Sequence, residues 1–91
     1  MAIDAGQMRR ILVRKLRCEE CEGTRHECYA VVVEGQLVAK TYLSRGKRTL
    51  GDPLLRWMAG QLGVSLQAFK RFCACDIERE AFTALILRGR S

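Results

Sequence analysis

The sequence predicts an α+β fold: an N-terminal helix, an antiparallel sheet of two or three strands, and a helical C-terminal half with a helix-turn-helix-like corner. Three observations predict it. Met8, Ile11, Leu12 and Leu16 recur at helical spacing. Two runs rich in strand formers, 28–33 and 37–43, flank Glu34-Gly35. Beyond Asp52-Pro53 the apolar residues return to helical spacing and stay there.

The first helix presents its apolar stripe to a core and carries Arg10, Arg14 and Arg17 on another face, with Arg9 and Lys15 beside them. It is expected to end near Cys18, where Glu19, Glu20 and Glu22 crowd ahead of Gly23. A hairpin follows. Gly35 tolerates the positive φ of a two-residue turn, which pairs Val33 with Gln36. That register places His26, Cys28, Ala30, Val32, Leu37, Ala39, Thr41 and Leu43 on a face turned toward the helices. It leaves Glu27, Tyr29, Val31, Val33, Gln36, Val38, Lys40 and Tyr42 on the other. Residues 44–48 read as a basic loop, and Thr49-Leu50 as a short extension of the sheet.

In the C-terminal half, Asp52 is expected to cap a helix with Pro53 in its first turn. Leu54, Leu55, Met58 and Leu62 form its buried side, and Gly63 supplies the left-handed residue that ends it. Ser65 caps the next helix, with Val64 and Phe69 in the positions of a hydrophobic staple. Leu66, Phe69 and Phe72 are its apolar residues, and Cys73-Ala74-Cys75 breaks it. Asp76 is expected to cap a last helix whose apolar side is Ile77, Ala81, Ala84, Leu85 and Leu87.

The chain of 91 residues suits one domain spanning 1–91. With 48% hydrophobic and 29% charged residues it has a globular balance. No run approaches the roughly 20 apolar residues of a membrane-spanning helix, and the first residues lack the order of a signal peptide. The expected setting is the cytoplasm, without a membrane partner. Sixteen basic against ten acidic residues leave a net charge of +6, which suits an anionic partner such as nucleic acid.

Four patterns carry chemistry. Ala59, Gly63-Val64-Ser65, Phe69 and Phe72 match the spacing of a DNA-binding helix-turn-helix, with Gln67, Lys70 and Arg71 as its contacts; the same residues also build a purely structural corner. Cys18, Cys21, His26 and Cys28 place four soft ligands within reach of one zinc ion, and Cys73 with Cys75 could join Cys18 and Cys21. Against zinc stand the short final spacing and the position of Cys28 in a strand. Five cysteines, an odd number, argue against a simple disulfide framework, so ordinary thiols are the alternative. His26, the only histidine, is either a structural residue or an acid–base group, because histidine titrates near neutral pH. Lys40, Arg45, Lys47 and Arg48 fall in a window, 35–51, that has no acidic residue. With Tyr29 and Tyr42 they could hold an RNA backbone and stack a base.

Gly23-Thr24-Arg25-His26-Glu27-Cys28-Tyr29 and the hairpin after it resemble the HicA-type toxins. Leu43-Ser44-Arg45-Gly46 and Gln61-Leu62-Gly63-Val64-Ser65 resemble an extended branch of HicA-like proteins with extra C-terminal helices. The resemblance implies a fold like the double-stranded-RNA-binding domain and a metal-independent ribonuclease that cleaves mRNA. It assigns His26 the catalytic role and implies a protein antitoxin that covers it. The alternatives are a helix-turn-helix DNA-binding module and a zinc-stabilised interaction domain without catalysis.

Overall fold

The structure, a computed structural model, describes residues 3–21, 26–44 and 49–89. Its architecture is α+β, as expected. Strand β1 (Ile3–Asp4) leads into helix α1 (Ala5–Arg10), where the Asp4 carboxylate caps the amides of Gly6 (2.9 Å) and Gln7 (3.3 Å). The helix widens into a π-helical turn over Ile11–Lys15, and Leu16 donates to the Ile11 carbonyl at 2.8 Å. Arg17, at φ 59°, then turns the chain out of the helix. Met8, Ile11, Leu12 and Leu16 are buried, and Arg10, Arg14 and Arg17 are exposed.

Strands β2 (Glu19–Cys21), β3 (His26–Val33) and β4 (Gln36–Ser44) form an antiparallel sheet in the order β2-β3-β4. Glu34 and Gly35 both take positive φ (52° and 77°), and Val33 pairs with Gln36 across the expected two-residue turn. Strand β5 (Thr49–Leu50) does not extend this sheet. It pairs with β1 in a separate ribbon, Ile3 opposite Leu50, because both residues bury their side chains in the core.

Helices α2 (Asp52–Leu62), α3 (Leu66–Cys73) and α4 (Arg79–Gly89) complete the fold. Gly63, at φ 79°, ends α2, and Val64 donates back to the Ala59 carbonyl at 3.0 Å. The Ser65 hydroxyl accepts from the Ala68 amide at 3.1 Å, so the helix-turn-helix-like corner forms as its residues predict. Cys75, at φ 67°, ends α3, with Asp76 donating to the Arg71 carbonyl.

Two expected caps are corrected. Asp52 does not cap α2: Gly51 holds that position, and the Asp52 carboxylate instead meets Lys70 Nζ at 2.8 Å. Asp76 lies three residues ahead of α4, its amide taken up by the end of α3. Of the expected apolar side, Ile77 and Leu85 are partly buried against the core. Phe82 and Ile86 reach the core, while Ala81, Ala84 and Leu87 stay exposed. The Phe82 ring stacks on Phe72, with centroids 4.1 Å apart.

One irregularity decides how the sheet faces are used. The pairing of β3 with β4 shifts between Val31 and Val32: Val32 faces Leu37, but Val31 faces Ala39. The extra residue, Val38, is a β-bulge. Beyond it the residues of β3 exchange faces relative to the expected register, while Ala39, Lys40, Thr41, Tyr42 and Leu43 of β4 keep theirs. Tyr29, Val31, Ala39 and Leu43 join the core with the buried residues of every helix. His26, Cys28, Ala30, Lys40 and Tyr42 lie on the other face, outside that core cluster.

Candidate nucleic-acid interface

The open face begins with β3 and β4. Directly paired residues of an antiparallel ladder point to the same side. Cys28 opposes Tyr42, Ala30 opposes Lys40, and His26 opposes Ser44 at the end of the sheet. His26, placed with the helices by the expected register, therefore shares a face with Lys40 and Tyr42. Tyr29 makes the reverse exchange. It is 1% exposed, and its hydroxyl donates to Glu27 Oε1 at 2.6 Å. Burial, then the Glu27 hydrogen bond, push its phenol above the ordinary tyrosine range. It cannot stack a base, contrary to expectation. Arg9 closes this group with two parallel bonds of 2.8 Å to the Glu27 carboxylate, which tie α1 to β3.

Helix α2 lies against β4, the outer strand of the sheet. The Gln61 side chain reaches that edge. Its Oε1 accepts from the Thr41 hydroxyl at 2.8 Å and from the Tyr42 amide at 3.1 Å. One turn earlier, Trp57 comes beside His26, with ring centroids 6.2 Å apart and planes tilted by 55°. Trp57 is 46% exposed, an unusual position for the largest apolar side chain in the protein. Sequence reasoning did not single it out. The signal was there: Trp57 falls outside the stripe of Leu54, Leu55, Met58 and Leu62.

The face thus gathers an imidazole, an ammonium group, a phenol and an exposed indole. Lys40 is exposed, and His26 and Tyr42 are half-buried. Arg45, Lys47 and Arg48, the other expected phosphate contacts, lie outside the described residues; they follow Ser44 directly in the chain.

The expected zinc ligands are not brought together. Cys21 and Cys28 are bonded to each other as a disulfide across β2 and β3. The expectation of ordinary thiols at these two positions is corrected with it: direct pairing on one face brings their Cα atoms to 5.0 Å. Cys18 turns into the core instead, where burial pushes its thiol up to about 12. Among the described residues no three His, Cys, Asp or Glu side chains cluster as a metal would need. Cys73 and Cys75 do not supply the missing ligands: Cys73 is buried in the core and Cys75 is exposed.

On the helix-turn-helix corner, Gln67 and Arg71 are exposed, but Lys70 is engaged with Asp52. That ion pair holds the Asp52 carboxyl below its ordinary range. Among the described residues no helix is long and apolar enough to cross a membrane. Compared with protein-family models, with curated proteins and with solved structures, the chain matches none.

Proposed function

We propose that this protein binds single-stranded RNA on the open face of its sheet and cleaves it there, in the manner of the HicA-type toxins it resembles. One observation carries the reading: the bulge at Val38 puts His26, Lys40 and Tyr42 on one face, and Trp57 stands 6.2 Å from His26 at its margin. Aromatic rings beside cations are the chemistry of single-strand recognition, because every base has a face to stack and every nucleotide a phosphate to neutralise. Lys40, with Arg45, Lys47 and Arg48, would meet the phosphates; Trp57 and Tyr42 would meet the bases.

His26 would take the proton of a ribose 2′-hydroxyl. The 2′-oxygen then bonds to the adjacent phosphorus, the bond to the 5′-oxygen breaks, and that oxygen collects a proton from water. The products are a 2′,3′-cyclic phosphate and a 5′-hydroxyl. DNA lacks the nucleophile and would be bound without being cut. A protein antitoxin covering His26 and the cations is the partner this reading implies, in the cytoplasm.

The test uses one labelled oligonucleotide as RNA and as DNA. RNA should be cut to cyclic-phosphate ends, and His26→Ala should lower the rate by about 10²–10⁴ with little loss of affinity. Tighter binding to duplex DNA, abolished by Gln67→Ala with Arg71→Ala, would replace this reading with the helix-turn-helix one.

A further inference from the structure

The cysteines divide by location. Cys18 and Cys73 are core residues, and burial pushes their thiols up to about 12 and about 11. At neutral pH they stay protonated and packed, a poor state for thiol exchange. Cys75 is exposed on the turn between α3 and α4. Cys21 and Cys28 are the disulfide pair, on the open face.

The position of that pair is informative. The bond closes the chain from 21 to 28 into a ring, and His26 is a member of that ring. Cys28 opposes Tyr42 and lies two residues from His26 on the same face. Strand β2 has three residues, joined to β3 through the pairs Glu19–Ala30, Glu20–Tyr29 and Cys21–Cys28. Without the covalent tie, the last of these pairs is an edge pair at the end of a very short strand, the kind that frays most readily.

We propose that Cys21 and Cys28 form a thiol–disulfide exchange site that sets the order of the His26 segment and, through it, the affinity for RNA. The affinity arm rests on the function proposed above; the ordering of His26 does not. The co-reactant is a dithiol. One of its thiolates attacks Cys21 Sγ, the more exposed partner, since Cys28 is 4% exposed. The Cys21–Cys28 bond breaks and its electron pair leaves on Cys28 Sγ, which takes up a proton. The second thiolate of the reductant attacks the mixed disulfide and releases Cys21 as a thiol. The protein gains two electrons and two protons, and the dithiol becomes a disulfide. Oxidised, the ring holds His26 against Trp57 beside Lys40 and Tyr42. Reduced, β2 frays and the imidazole loses its fixed place. A reducing cytoplasm would keep the protein in the reduced state until oxidants accumulate.

Trp57 and His26 are the only tryptophan and histidine, so each reports on the site without a label. Air-oxidised protein, denatured without reductant, should show three free thiols, and five after dithiothreitol. Titrating the folded protein with dithiothreitol should shift Trp57 emission and the His26 ring-proton resonances together, reversibly. Cys21→Ser with Cys28→Ser should show the reduced signals throughout. Reduction should weaken RNA binding by about tenfold, the factor expected when ordering a side chain or two is left to the binding step. Five thiols in the oxidised sample, or signals from Trp57 and His26 that do not respond to reduction, would overturn the proposal. Responsive signals in a protein with no RNA affinity in either state would uphold the exchange site and overturn the RNA reading alone.

Discussion

The Gln61 side-chain oxygen lies 3.1 Å from the Tyr42 amide nitrogen, so a helix side chain closes a hydrogen bond that the outer strand of the sheet would otherwise leave open. The same oxygen accepts from the Thr41 hydroxyl, which is wholly buried. Gln61 therefore fixes α2 on β4 and keeps Trp57 beside His26. Gln61→Leu should destabilise the protein by about 1–3 kcal/mol in urea unfolding, because it strands a buried hydroxyl. Thr41→Val removes that hydroxyl and leaves the Tyr42 bond in place, so it should cost less. Equal losses would show that the paired hydrogen bonds are not what holds the helix.

The two glycines Gly60 and Gly89 should respond to alanine in opposite directions. A Cβ on Gly89 would collide with the Gly63 carbonyl oxygen, and this neighbour is backbone that cannot swing aside. Gly89→Ala should lower stability by about 1–3 kcal/mol, as overpacking does. Around Gly60, on the exposed side of α2, nothing stands within 4 Å of an added Cβ. Gly60→Ala should raise stability by about 0.5–1 kcal/mol through helix propensity. Thermal unfolding of the two variants decides the matter.

Stability should fall in alkali. A thiol raised from 9.0 to about 12 at Cys18 means that, between those values, the unfolded chain releases a proton which the folded chain keeps. Stability is then complete below pH 9 and declines as pH rises toward 12, by about 1.4 kcal/mol per pH unit for one such group. Cys73, raised to about 11, acts in the same sense over a narrower window. Urea midpoints measured from pH 8 to 11 should decrease, and Cys18→Ala should flatten the slope. An unchanged slope in that variant would remove Cys18 from the account.

The aromatic margin of the open face should matter more than its charge at high salt. Trp57→Ala should weaken single-stranded RNA binding by about 1–3 kcal/mol at any ionic strength, the range for loss of one stacking platform. Lys40→Ala should weaken it mainly at low salt and reduce the dependence of affinity on salt, because a phosphate contact acts by counterion release. Salt titrations of both variants by fluorescence anisotropy provide the check. A Trp57→Ala effect that disappears at high salt would argue against stacking.

Much of the fold was written locally. The stripe of Met8, Ile11, Leu12 and Leu16, the Glu34-Gly35 turn, the left-handed Gly63 and the Ser65 cap each depend on neighbours within a few residues, and each formed as its residues predict. The ends of α4 and the role of Asp52 were less legible. An acidic residue ahead of a helix can cap amides or pair with a distant cation, and only packing brings Lys70 within 2.8 Å.

The open face is where tertiary structure decided the outcome. Period-two alternation gave two faces but not the extra residue at Val38, since a bulge depends on which residues meet across the strands. That residue moved His26 beside Lys40 and Tyr42 and sent Tyr29 into the core. The sequence alone determined the β3–β4 hairpin, the Ser65 cap and the surplus of positive charge, whereas the short strands β1 and β2 were not legible in it. Long-range pairing decided which side chains share a surface, because the β1–β5 ribbon and the contact of Trp57 with His26 join segments whose separation no local pattern spans.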